Sequence, residues 1–151
     1  MEIVLTSLFN TPIHEQIRAR GGRVYTAMIS PFKGRPEPNI AMLAASRELV
    51  FGHKHGTGDM RWASFPVVSD AEYTTGYLQI LDKRKTAIDD WMKKQQGDIA
   101  LCCSCPGGIW GVQQFEKKNP GQQGTWNFCH LDVLEIWLWK QYGKSISVKR
   151  V

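Results

Sequence analysis

Two short stretches bring together residue types that can do chemistry. Cys103-Ser104-Cys105-Pro106-Gly107-Gly108 closes an apolar run, and Phe128-Cys129-His130 opens an apolar helical pattern farther along the chain. A thiol at a helix start sits near unpaired N–H groups and the positive end of the helix dipole, both of which favour the thiolate. Cys129 is therefore the candidate nucleophile, with His130 or a loop histidine as proton carrier and Cys105 or Cys103 as resolving thiol. The same N–H groups suit a phosphate or carboxylate with no covalent step. Cys102 reads as a small buried hydrophobe. Cys103, Cys105, Cys129 and His130 supply enough sulfur and nitrogen for tetrahedral zinc, but Cys-x-Cys and adjacent Cys-His are tighter than the usual ligand spacing, so no metal is assigned. Crowding of three cysteines into four positions argues against a structural disulfide, because adjacent strand residues point to opposite faces.

The elements that must hold these residues follow from periodicity. Glu2 to Thr6 reads as a buried strand, Ile13 to Arg20 as a weak helix stopped by Gly21-Gly22, and Arg23 to Ile29 as a second strand. Asn39 can cap a short helix over Ile40 to Ser46, Glu48 to Phe51 suits a third strand, and Gly52 to Gly58 reads as a polar loop carrying His53 and His55. Ser69-Asp70-Ala71-Glu72 is a capping-box signature. It opens one long helix with Tyr73, Tyr77, Leu81, Ile88 and Met92 on its apolar stripe, ended by Gly97. Asp98 to Cys103 is apolar on both faces, as the middle of a parallel sheet requires. Residues 106–127 show no periodicity and read as a long binding loop or lid. Phe128 to Tyr142 is helical and Ser145 to Val148 a last strand. The alternation predicts a single α/β domain over residues 1–151, three layers deep, with a mainly parallel sheet.

In such folds ligands bind beyond the carboxyl ends of the strands. That rule gathers Thr6, Ser7, Ser30, Lys33, Arg35 and Cys103 into one expected crevice. Arg47, Lys54 and Arg61 are weaker basic candidates. Of six tryptophans, Trp62, Trp91, Trp137 and Trp139 are assigned to the core or its edge. Trp110 and Trp126 fall in the long loop and are the candidates for stacking on a ring or base.

The strand end Leu101-Cys102-Cys103-Ser104-Cys105-Pro106-Gly107-Gly108 followed by Phe128-Cys129-His130 resembles the domain-of-unknown-function family 488, whose members carry a Cys-x-Cys or Cys-x-Glu strand end and a Cys-His-Arg helix start. The likeness covers mainly residues 70–142. Here Leu131 replaces the signature arginine, so an anion-gripping role is lost or moved to another basic side chain. A loop at residues 109–127, with Trp110, Lys117, Lys118 and Trp126, is inserted between the two halves of the motif. The resemblance implies a site at these cysteines and supplies no reaction.

A chain of 151 residues, 42% hydrophobic and 22% charged, fits one ordinary globular domain. No segment approaches the roughly 20 apolar residues a membrane span needs, and the N-terminus lacks a secretory signal, so the expected location is cytoplasmic. A net charge of +5 suits an anionic partner without naming it. The leading expectation is a binding protein for an anionic, nucleotide-derived small molecule, sequestration of a signalling nucleotide being one form. A thiol-dependent enzyme built on Cys129 is the alternative, and nucleic-acid binding the third reading. No cofactor is assigned.

Overall fold

The computed structural model describes residues 1–105 and 107–151; Pro106 of the turn motif lies outside them. Four parallel strands form the sheet in the order β2-β3-β1-β4, where β1 is Glu2–Ser7, β2 Arg23–Thr26, β3 Ile99–Cys103 and β4 Ser147–Arg150. The helices are α1 (Thr11–Ala19), α2 (Arg47–Gly56), α3 (Asp70–Lys83), α4 (Lys85–Lys93), α5 (Gly108–Lys118) and α6 (His130–Tyr142). The chain is thus an α/β domain with a parallel sheet, as its alternating pattern predicts. No helix among the described residues is long and apolar enough to cross a membrane.

Strand alternation divides the core. In register, Ile3 pairs with Ile99 and Leu5 with Leu101, and these side chains join Cys103 in packing with Tyr77, Leu81, Ile88, Leu134 and Trp137 of α3, α4 and α6. Val4, Ala100 and Cys102 point the other way and pack with Ile17 of α1. Neighbouring Cys102 and Cys103 therefore end in different layers. All five side chains of β3 are buried, as its apolar run requires.

Several sequence expectations give way to tertiary context. Glu48 to Phe51 is helical, not a strand: Ser46 Oγ accepts from Leu49 N at 3.3 Å and α2 runs on through the supposed loop. Gly52 is what permits this, because a Cβ there would lie 2.4 Å from the Pro66 carbonyl oxygen. The helix expected over Ile40 to Ser46 shrinks to a 3-10 turn, Ala41–Leu43. The long helix begins at the expected Ser69–Glu72 capping box. It then breaks at Arg84, whose guanidinium donates to the carbonyls of Met42 and Ala44 at 2.9 Å each. Residues 108–118 form α5 rather than a structureless loop. This helix buries Gly108 and Gly111, so its packing face consists of backbone and leaves no apolar stripe to read. Trp139, assigned to the core or its edge, is 67% exposed, whereas Trp137 on the next face is buried.

Candidate functional site

β3 and α6 meet at the carboxyl end of the sheet and bring the cysteines into contact. Cys103, the last residue of β3, places its Sγ 3.1 Å from that of Cys129. Cys129 is the N-cap of α6: its backbone is extended, its sulfur accepts from Leu131 N at 3.5 Å, and its own N–H donates to Asp132 Oδ2 at 2.9 Å. Cys105, just beyond the strand, is disulfide-bonded to Cys129, whereas Cys102 and Cys103 are free and buried. The expectation against a bridge is thus corrected. Crowding forbids bonds within the 102–105 cluster but not from its outermost member to a helix start brought in from elsewhere.

His130 completes the group. Its Nε2 lies 2.6 Å from the Ala27 carbonyl oxygen, which accepts only, so Nε2 carries the proton and Nδ1 keeps a free lone pair. Nδ1 lies 3.8 Å from Cys129 Sγ. Burial, against the raising effect of the Ala27 hydrogen bond, lowers the His130 pKa to about 4, with the Arg150 charge pushing in the same direction as burial. The imidazole is neutral at physiological pH. It can accept a hydrogen bond, but it is too weak a base to carry a thiol proton as the sequence reading expects.

Burial also pushes the Cys103 thiol up to about 12, although the Cys105 N–H and the Arg150 charge both favour its thiolate. Cys102 is raised further, again by burial first, and its sulfur lies 3.4 Å from His14 Nε2 in the opposite layer. Cys102 is therefore the inert core thiol that its sequence suggests.

One buried cation stands beside the cysteines. The Arg150 side chain is 3% exposed and its Nε donates to Asp132 Oδ1 at 2.8 Å. Nη1 donates to the carbonyls of Leu5 at 3.2 Å and Val151 at 3.0 Å. A Cβ on Gly107 would fall 2.8 Å from Arg150 Nη2 and 3.0 Å from Cys129 Cβ, so the glycine turn exists to let the guanidinium and the helix start close together. Gly108, at φ +72°, would collide with the same guanidinium and with the Val151 carbonyl. Sequence reading missed Arg150 because it ended the last strand at Val148; alternation through Lys149, pointing outward, is the signal that turns Arg150 inward.

A cavity of about 450 Å³ opens over this junction. Met28, Ile29, Ala44, Ala45, Val50 and Phe51 form its apolar wall, and Cys103, Ser104, Cys105 and His130 one polar side. Ser30 and Lys54 supply the remaining polar groups. Cys129 is 4% exposed and does not line it.

Of the expected ligand residues, Ser30 and Cys103 reach this cavity and the others do not. Thr6 and Ser7 are buried and hold the β1–α1 turn: Thr6 Oγ1 accepts from Asn10 at 2.9 Å and Ser7 Oγ from Phe9 N at 3.1 Å. Lys33 is exposed. Arg35 is engaged through Nε and Nη2 with the buried Glu37 carboxylate at 3.1 and 2.9 Å, and its Nη2 also donates to the Leu8 carbonyl. Trp110 lies on α5 and does not line the cavity. Trp126 is 49% exposed, donates to Asp132 Oδ2 at 3.2 Å and lies against the Arg150 guanidinium. His53 and His55 are helical and turned elsewhere, to Asp70 and to the Phe65 carbonyl. Lys54, a minor candidate by sequence, is the cation that lines the cavity. No protein-family model, curated protein or solved structure matches the chain.

Proposed function

We propose that this domain is a thiol–disulfide exchange protein acting on a small thiol or disulfide admitted to the cavity. The observation that carries the reading is the Cys105–Cys129 bond set at a helix start, with one sulfur facing the cavity and the other buried under the helix N–H groups. A substrate thiolate attacks Cys105 Sγ, a substrate–Cys105 bond forms, the Cys105–Cys129 bond breaks, and the electron pair leaves on Cys129 Sγ. A second substrate thiolate then displaces Cys105, so the substrate dithiol is oxidised and the protein disulfide reduced. Exchange is faster with a low-pKa leaving group, and Cys129 has the Leu131 N–H, the positive end of α6 and the nearby Arg150 charge to stabilise its thiolate. These positions exchange the roles expected from sequence: Cys105 is the contact sulfur and Cys129 the leaving or resolving one. The family 488 resemblance, resting on Cys103, Cys105, Cys129 and His130, agrees with a site here, and with Leu131 in the arginine position Arg150 is a basic side chain that stands beside Cys129.

Treating the reduced Cys129→Ser and Cys105→Ser variants with glutathione disulfide separates the roles. Cys129→Ser should accumulate a mixed disulfide on Cys105, read as a mass increase and located by peptide mapping. Absence of any adduct on Cys105, or an equal adduct on Cys129 in Cys105→Ser, sinks the proposal.

A second reading, capture of an anionic nucleotide-like ligand without covalent chemistry, is favoured by Lys54 beside the apolar wall of Phe51, Val50 and Met28. One cation matches one anionic group. Incubation with a nucleotide extract followed by mass spectrometry tests it, and a chain that retains nothing counts against it.

A further inference from the structure

We infer that, once the Cys105–Cys129 bond is reduced, Cys103, Cys129 and His130 form a zinc(II) site with Cys105 as fourth ligand. This rests on the proposed reducibility of that bond and goes beyond exchange, because the reduced state then has a ligand of its own.

The donor atoms of Cys103, Cys129 and His130 all lie within 4.8 Å of one another. Tetrahedral zinc, with Zn–S near 2.3 Å and Zn–N near 2.0 Å, sets its donors roughly 3.5–3.8 Å apart. The observed 3.1 Å between Cys103 and Cys129 sulfurs and 3.8 Å from Cys129 Sγ to His130 Nδ1 bracket that spacing. Cys105, covalently joined to Cys129 when oxidised, is left within ligand reach when released. The close sequence spacing that argues against zinc applies to ligands on one knuckle. Here they come from a strand end and a helix start, and Cys129 Sγ and His130 Nδ1 lie 3.8 Å apart although the residues are adjacent.

Three independent features favour a metal over an idle thiol cluster. The proton of His130 is fixed on Nε2 by the Ala27 carbonyl at 2.6 Å, which leaves Nδ1 as the free donor, the arrangement typical of a zinc-ligating histidine. Three thiolates carry one negative charge more than zinc(II) offsets, and the buried Arg150 guanidinium, ion-paired with Asp132, lies against Gly107 beside Cys129 and offsets part of it. The cavity lined by Cys103, Cys105 and His130 gives the ion an entry path. Binding replaces three thiol protons by one zinc ion, with no electron transfer after the disulfide has taken up two electrons and two protons from a phosphine or dithiol.

The test is zinc content by mass spectrometry of the full chain, oxidised and phosphine-reduced, after equilibration with zinc chloride and removal of free ion under argon. About one zinc per reduced chain and none in the oxidised chain is expected. Cobalt(II) added to the reduced chain should give thiolate charge-transfer and tetrahedral d–d bands. Cys103→Ser and His130→Gln should weaken zinc by at least the roughly 10–100-fold that a second-shell change costs, whereas Cys102→Ser leaves it unchanged. Equal zinc in both redox states, or variants equal to the parent, overturns the inference. Cys105→Ser lacks the Cys105–Cys129 bond, so, kept reduced, its failure to bind zinc or cobalt tighter than Cys105→Ser/His130→Gln overturns it even if the parent bond resists reduction. Reduction without zinc removes this inference alone; zinc in Cys105→Ser with an inert parent bond removes the exchange reading alone.

Discussion

Cys103 and His130 are both held away from their ordinary ionisation, chiefly by burial, and this sets how each responds to pH. With its pKa pushed up to about 12, Cys103 is a neutral thiol at pH 7, and its thiolate fraction rises about tenfold per pH unit. Transfer of the disulfide from Cys105–Cys129 to a bond containing Cys103 should accelerate accordingly between about pH 7 and 9, as read by acid quenching and peptide mapping; a flat profile contradicts the burial argument. His130, lowered to about 4, acts in the opposite range. A histidine kept neutral in the fold contributes stability that is complete above its unfolded pKa and is lost as pH falls from there through the folded value. Urea midpoints should therefore decline from about pH 6.5 towards 4, and His130→Gln should flatten part of that decline. His14, also lowered by burial, accounts for a remaining part. Arg150→Met removes the partner of Asp132 and two carbonyl hydrogen bonds, and should cost on the order of 3 kcal/mol in urea unfolding. Arg150→Lys should recover little of it, since lysine cannot fork.

Elements were legible in the sequence where a local signal and the core agreed, and illegible where another segment decided. The Ser69–Glu72 capping box and the doubly apolar β3 depend on near neighbours alone, and both stand as read. Ser69→Ala should cost about 1 kcal/mol, measured as a fall in urea midpoint. α2 was hidden because its glycine and histidines read as a loop until Pro66 to Val68 packs across it. Gly52→Ala meets backbone at 2.4 Å and should cost about 1–3 kcal/mol, despite the better helix propensity of alanine. If it stabilises, the close approach is wrong. The cysteine junction was placed correctly by two strand-and-helix arguments. The cavity walls were not, since Ala44, Ala45 and Phe51 carry no chemistry of their own and enter only through tertiary packing.

At the scale of the whole molecule, the disulfide closes a segment of sequence separation 24 that contains all of α5. Loop closure of that size stabilises by about 3 kcal/mol, so reduction should lower the unfolding midpoint and, because the unfolded chain is freed to expand, steepen the slope against urea. Equal midpoints with and without reductant contradict this. The sheet order adds a constraint in time. β1, begun at residue 2, has β4 as one of its neighbours, and β4 brings Arg150 to thiols already contributed by β3 and α6. During synthesis Cys103, Cys105 and Cys129 all leave the ribosome before their buried cation does. The growing chain thus passes through an interval in which its sulfurs can pair without the guanidinium that later stands beside them, and the emergence and docking of β4 end that interval.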